Sequence, residues 1–263
     1  MQTNLSGWAL VLGASSGFGE AAALAFAQAG MNIAGVHLDR RGTIENAERI
    51  QSQIQSLGRE CLFFNVNAAD EKNRGEVLTA LAEKVAPGAL RVLLHSLAFG
   101  TLRPLCGSVE ESATQRQVEM TLDVMGSSLV YWSQGVVQKR LMGENGRIFA
   151  MTSTGSHSVW PSYGVVGAAK AALESYVRQL AYELAPHQIT ANAICAGVTD
   201  TPAVRKIPGN EVMIQVATKR NPHHRLTTPV DVANALVALA QPATYWLTGN
   251  VINVDGGEAI SGG

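Results

Sequence analysis

This 263-residue chain predicts an α/β fold: a parallel sheet of about seven strands with helices on both faces. Three observations carry the prediction. Short apolar runs alternate with helical stretches along the whole length, with no low-complexity break or linker. The first apolar run ends in a glycine-rich turn that opens directly into a helix. The composition, 46% apolar with a net charge of −1, suits one sizeable core, so residues 1–263 read as a single domain.

The first strand is the run Trp8-Ala9-Leu10-Val11-Leu12, apolar throughout as a strand buried on both faces must be. Further strands are expected at 32–37, 60–66, 91–95, 147–152, 189–196 and 251–254. Helices are expected at 19–29, 43–57, 71–85, 109–141, 162–184 and 230–240. The first of these is rich in alanine and leucine and stops at Gly30. Residues 198–228 read as one long irregular stretch holding Pro202, Pro208, Gly209 and Pro222. Ligands of open α/β sheets sit at the carboxyl ends of the strands, so this stretch is expected to be a mobile substrate-covering segment.

Several functions are excluded or disfavoured early. A net charge of −1 offers no global basic field for nucleic acid. No apolar run approaches the roughly 20 residues of a membrane span, and the N-terminus lacks a basic region followed by an apolar one. Cys61, Cys106 and Cys195 are odd in number and far apart, and no Cys/His group has metal-ligand spacing. Cys61 and Cys195 lie in apolar runs and read as small buried residues. A soluble cytoplasmic protein without a metal is expected.

The first turn carries chemistry. Gly13-Ala14-Ser15-Ser16-Gly17-Phe18-Gly19 lies between strand and helix, where backbone N–H groups and a helix N-terminus can receive a pyrophosphate. Glycine permits both the turn and a close approach of phosphate. The fold is therefore expected to be a Rossmann-type, doubly wound dinucleotide-binding sheet. From Gly13 to the closing Asn253-Val254-Asp255-Gly256-Gly257, the chain resembles the short-chain dehydrogenase/reductase family.

Tyr163 and Lys170 stand seven residues apart. Seven residues turn a helix through about 700°, which places both side chains on one face. A phenol near a cation can hold its proton loosely, as a donor to a developing oxyanion requires. Most of the family has tyrosine four residues before the lysine, where this chain has Val166. The seven-residue spacing is similar to that of the enoyl-acyl-carrier-protein reductase branch. His95-Ser96-Leu97-Ala98-Phe99-Gly100 agrees, standing where the wider family has Asn-Asn-Ala-Gly. So does Met125, in the place of the wider family's catalytic asparagine. The glycine loop and Ser153 together resemble the NADPH-dependent enoyl reductases of some bacilli.

That resemblance implies site residues. Tyr163 would be the donor to the thioester oxygen, Lys170 would bind the nicotinamide ribose and lend positive charge near the phenol, and Ser153 would orient the carbonyl or merely end its strand. Cofactor contacts are implied at Gly13, Ser15, Ser16, Gly17, Phe18 and Gly19, at His37, Arg40 and Arg41, at Asn65 and Val66, at Ser96, Leu97 and Ala98, and at Gly197, Thr199 and Thr201. His37 stands where NAD-specific relatives have an acid; with Arg40 and Arg41 following, a 2′-phosphate and hence NADP(H) is favoured. Asp39 keeps NAD(H) as the alternative. Gly164 and Gly167 suggest close approach of the cofactor or another helix.

The expected activity is reduction of a 2-enoyl thioester on acyl carrier protein or coenzyme A. Alternatives are an atypical alcohol or ketone (3-oxoacyl) reductase of the same fold, or a dinucleotide sensor without catalysis. Arg205, Lys206, Lys219, Arg220 and Arg225 outnumber Asp200 and Glu211 in the 198–228 segment; they could meet an anionic carrier or simply be solvated. The apolar residues Leu129, Val130, Trp132, Val136 and Val137, with Leu173, Tyr176, Val177 and Leu180, are expected to leave an exposed stripe. A homotetramer or homodimer would bury it.

Overall fold

Seven parallel strands pair into one sheet in a computed structural model that describes residues 4–261. Residues 1–3, on which part of the N-terminal reading rests, and residues 262–263 lie outside the described residues. The strands are β1 (Trp8–Leu12), β2 (Asn32–His37), β3 (Cys61–Asn65), β4 (Leu90–His95), β5 (Met142–Thr152), β6 (Thr190–Ala196) and β7 (Val251–Val254). Their order, β3-β2-β1-β4-β5-β6-β7, reverses direction between β1 and β4. That reversal opens a crevice at the carboxyl ends of the strands, the usual ligand site of a Rossmann-type sheet.

Helices cover both faces because the strands are apolar on both. On one side Ala9 and Val11 of β1 meet α1 (Gly17–Gln28), α2 (Ile44–Ser56) and α8 (Pro229–Leu239) through Phe26, Ile50, Ile54 and Leu236. On the other, Leu10 and Leu12 meet α3 (Glu71–Lys84), α5 (Ser128–Gln138) and α6 (Gly164–Glu183). Leu129, Trp132, Val136, Leu173, Val177 and Leu180 are all buried in this second layer. The exposed apolar stripe expected on these helices is therefore largely absent: their inner faces account for most of the residues named, and Val137 and Tyr176 pack partly buried against the same core.

Four expected elements differ. The helix expected over 109–141 starts only after Thr114, whose hydroxyl and Gln117 form a reciprocal cap. It runs as α4 (Gln115–Leu122), a π-helical turn over Asp123–Ser127, and α5. The helix expected from 162 begins at Gly164, because Ser162 is held at φ +61 and cannot join it. The stretch 198–228 is not irregular throughout: it holds a 3-10 turn over Val204–Lys206 and the helix α7 (Asn210–Arg220), so it is a built element. β5 also begins earlier than expected, since Met142 pairs with Leu90 before a register irregularity.

Cys195 is buried, Cys61 is half-buried and Cys106 is exposed, all as free thiols. Among the described residues no helix is long and apolar enough to cross a membrane, and no group of three or more His, Cys, Asp or Glu could hold a metal ion.

Candidate active site

The glycine loop lies at the switch point between β1 and β4. Gly13 sits at φ +90 and receives the chain after β4 so closely that a β-carbon would overlap the Ser96 carbonyl oxygen. Its N–H, and that of Ala14, donate to Val36 O at 2.8 and 3.1 Å. A β-carbon on Gly19 would overlap the Gly13 carbonyl, so α1 can pack on the loop only with glycine there. Gly17, at φ +56, faces Thr201: a β-carbon would come within 3.6 Å of its methyl group. Ser16 caps α1 without a side-chain hydrogen bond, leaving first-turn N–H groups free for an anion. This cradle fits a pyrophosphate.

One support was missed by sequence reasoning. Asn46 of α2 donates to Ser15 O at 2.6 Å and to Glu20 at 3.1 Å, and Arg49 pairs with Glu20. The signal was a polar pair three residues apart in the helix that buries Ala47, Ile50 and Ile54.

At the end of β2, His37 is buried and its Nδ1 lies 2.8 Å from the Asp39 carboxylate. Burial pushes the Asp39 carboxyl up, but hydrogen bonds from Ser15, Thr43 and His37 outweigh it and hold the group below its usual range. Asn65 clamps the same residue: its Oδ1 accepts from Asp39 N at 2.8 Å and its Nδ2 donates to Asp39 O at 3.0 Å. The Asn65 amide, implied above as a cofactor contact, thus holds the backbone of Asp39. Val66 N donates to His37 O at 2.8 Å. Arg40 and Arg41 are exposed in the following turn.

Tyr163 is the N-cap of α6, not a residue within it, with φ −97 and ψ −1. Its Oη lies 3.3 Å from Ser153 Oγ. Burial pushes the phenol above its usual value, and the Ser153 hydrogen bond offsets only part of this. The expectation that a nearby cation loosens this proton is not met: desolvation dominates, and the Lys170 ammonium is directed elsewhere. Lys170 is buried, and its Nζ donates to Met151 O at 2.8 Å. Burial brings it down to about 8, against the raising influence of Glu174. Glu174 in turn accepts from Thr152 Oγ1 at 2.6 Å.

The glycines of α6 lie against protein. A β-carbon on Gly167 would overlap Gly155 O, and one on Gly164 would meet the Leu105 side chain at 2.9 Å. Val166 and Met125 pack together with Ala169 in a small apolar cluster that Tyr163 joins. Neither can move a proton. His95, wholly buried, lies 2.8 Å from Ser128 Oγ through its Nε2 and is pushed to about 3 by burial and by Lys170; it is neutral. Ser96, Leu97 and Ala98 follow it, with Ser96 N on Leu12 O at 2.9 Å.

After β6, Thr199 donates to Gly197 O at 3.0 Å and Thr201 accepts from Val204 N at 3.3 Å, both buried. Trp160 Nε1 donates to Pro208 O at 3.2 Å, tying the 198–228 segment to the loop that carries Tyr163. The excess of basic residues in that segment is largely absorbed. Arg205 pairs with Asp200, Arg225 with Asp231, and Arg220 donates to the carbonyls of Ala259 and Ser261. Among the described residues Lys206 and Lys219 make no ion pair.

A family model described as "Enoyl-(Acyl carrier protein) reductase" matches residues 13–258. The chain is similar to the NADH-type enoyl-[acyl-carrier-protein] reductase of Nostoc sp., 32% identical over 89% of this chain and 88% of that protein. It is 34% identical to the Aquifex aeolicus enzyme of the same name over a shorter span, 66% of this chain and 64% of that one. A crystal structure of the NADH-type enoyl-[acyl-carrier-protein] reductase of Aquifex aeolicus superposes with a TM-score of 0.85 at 27% identity, covering 100% of both chains. The chain belongs to the enoyl-(acyl carrier protein) reductase family, pyridine-nucleotide-dependent enzymes of the short-chain dehydrogenase/reductase superfamily.

Proposed function

We propose that the chain reduces the carbon–carbon double bond of a 2-enoyl thioester carried on acyl carrier protein or coenzyme A. The observation that carries the reading is the Ser153–Tyr163 hydroxyl pair at 3.3 Å, beside an apolar Val166 and Met125 where a ketone reductase of this family needs polar groups. The glycine loop, the end of β2, residues 96–98, Lys170, Gly197, Thr199 and Thr201 would hold the dinucleotide. When bound, it supplies a hydride to the β-carbon of the substrate.

The chain's own residues handle the charge that this creates. Negative charge gathers on the thioester oxygen, and the Tyr163 hydroxyl donates to it. Burial keeps that phenol protonated at neutral pH, as a donor must be. Ser153 fixes the direction of the hydroxyl. Lys170, anchored on Met151 O, keeps an ammonium under the ribose site. The 198–228 segment, tied down at Trp160, would exclude water. Crotonyl and acetoacetyl thioesters assayed in parallel test the reading: turnover of the enoyl substrate alone supports it, and turnover of only the ketone shifts the assignment to 3-oxoacyl reduction.

For the dinucleotide, Arg40 and Arg41 support NADPH, whereas Asp39 supports NADH. Asp39 is anchored by four groups and charged, while the two arginines are exposed in a turn. A fixed carboxylate accepts from ribose hydroxyls and repels a 2′-phosphate. We therefore favour NADH. Asp39→Ala is expected to raise KM for NADH about tenfold, the loss of one charged hydrogen bond, and to lower KM for NADPH, since the charge that repels a 2′-phosphate is gone. If instead Arg40→Ala with Arg41→Ala weakens NADPH selectively and wild type prefers it, the NADPH reading stands.

Assembly as a homotetramer or homodimer belongs to the same proposal, though its support moves from the helices to the sheet edge. β7 is an edge strand with Val251 exposed, and Trp246 beside it is 90% exposed. The three free cysteines support a reducing, cytoplasmic setting.

A further inference from the structure

The turn after β7 closes on the root of the 198–228 segment. Asp255 builds the turn: its Oδ1 accepts from Gly257 N and its Oδ2 from Ala259 N, each at 2.9 Å. Gly256 and Gly257 supply the left-handed conformations, φ +61 and +86, that reverse the chain. The reversal places Glu258 inward, only 8% exposed, with Oε2 accepting from Val198 N at 3.1 Å. Gly197 is pressed between this carboxylate and Thr227: a β-carbon there would lie 2.9 Å from Glu258 Oε2 and would overlap Thr227 Oγ1. The two roots of the segment, 197–198 and 227, thus meet at Gly197, with the Glu258 carboxylate against its other side.

The same turn also holds the far end of α7. Asn221 Nδ2 donates to Asp255 O at 2.8 Å, and Arg220 donates to Ser261 O and Ala259 O at 2.8 and 3.2 Å. Burying a carboxylate is costly unless a donor meets it. Here the donor is a backbone N–H one residue before Thr199 and three before Thr201, which lies against Gly17 of the glycine loop.

We propose that Glu258 is a positioning residue for the reaction: by holding the Val198 N–H and the Gly197–Thr227 junction, it sets Thr199 and Thr201 against the dinucleotide loop and fixes the hinge of the 198–228 segment. This rests on the reading of that crevice as a nicotinamide dinucleotide site, but not on the identity of the substrate. Glu258 acts through the loop that it holds at Val198.

The test compares Glu258→Ala and Glu258→Gln in the full chain, by titration with NADH and NADPH and by limited trypsin digestion. A glutamine carboxamide oxygen can accept from Val198 N; alanine cannot. Glu258→Ala is expected to raise the dinucleotide Kd about tenfold, within the range of a lost charge-assisted hydrogen bond. It should also speed cleavage after Arg205 and Lys206 several-fold while leaving cleavage elsewhere unchanged. Glu258→Gln should recover most of both. Wild-type affinity and wild-type cleavage in Glu258→Ala overturn the proposal, as does equal damage in both variants or cleavage spread along the whole chain. Neither readout uses thioester turnover, so a wild type inactive on every enoyl substrate would sink the proposed activity and leave this test decisive.

Discussion

At Tyr163 the environment dictates one role. Its hydroxyl is buried and bonded to Ser153, and burial holds it above the ordinary phenol range, so it is protonated at neutral pH, as the proposed donor must be. Tyr163→Phe removes that donor, and with it the partner of the Ser153 hydroxyl. Turnover is expected to fall roughly a hundred- to a thousandfold, the usual consequence of losing one preorganised donor, with dinucleotide affinity unchanged by fluorescence titration. Lys170 titrates where it can be observed, at about 8. Its cation is present below that pH and lost above it, so kcat/KM for the dinucleotide should fall as pH rises through about 8. Lys170→Arg, always charged, should abolish that transition. The stability effect has the opposite sense. The folded value lies below the unfolded 10.5, so between about 8 and 10.5 the unfolded chain holds more protons. By linkage, the contribution of Lys170 to stability then rises with pH across that window, which melts of wild type against Lys170→Met would show. The seven-residue spacing was legible in the sequence; the position of Tyr163 as N-cap was not, because it depends on the left-handed Ser162.

Among the elements, α6 and α3 make a controlled pair. Gly167 of α6 rests on the Gly155 carbonyl, so Gly167→Ala must push the helix off the turn that carries Ser153. Activity should drop by about tenfold or more, because displacements near 1 Å are costly in catalytic geometry, and the melting temperature should fall. Gly75 of α3 meets nothing within 4 Å of its missing β-carbon and has ordinary helical φ. Gly75→Ala should therefore stabilise the protein by about 0.5–1 kcal/mol in urea unfolding, with activity untouched. Sequence pattern assigned the glycines of α6 a close neighbour, and the protein neighbour of Gly167 is the turn at Gly155 and not another helix. Proximity between Gly167 and the turn at Gly155 is a tertiary fact.

At the scale of the whole molecule, the sheet has two edges, and β7 is one of them, with Val251 and Trp246 facing outward. Pairing that edge with a second copy across a two-fold axis would satisfy its free backbone groups and cover the exposed tryptophan. Light scattering behind a sizing column at micromolar concentration should give a dimer or tetramer. A single species near 27.8 kDa would refute the assembly, while Trp246→Glu should shift a true assembly toward that mass.

Periodicity alone determined the sheet and most of its helices, since strands buried on both faces must be apolar throughout and β1 is buried at all five positions. The glycine loop was equally legible, because Gly13, Gly17 and Gly19 occupy positions where φ or packing tolerates no side chain. The Tyr163–Lys170 spacing and the apolar Val166 placed the chain in its branch. Tertiary structure alone decided what each polar group faces. It turned Asn65 onto Asp39 and brought Glu258 under Val198 across 60 residues. Local sequence sets conformation through sterics and burial through period, but hydrogen-bond partners are chosen only once distant strands have met.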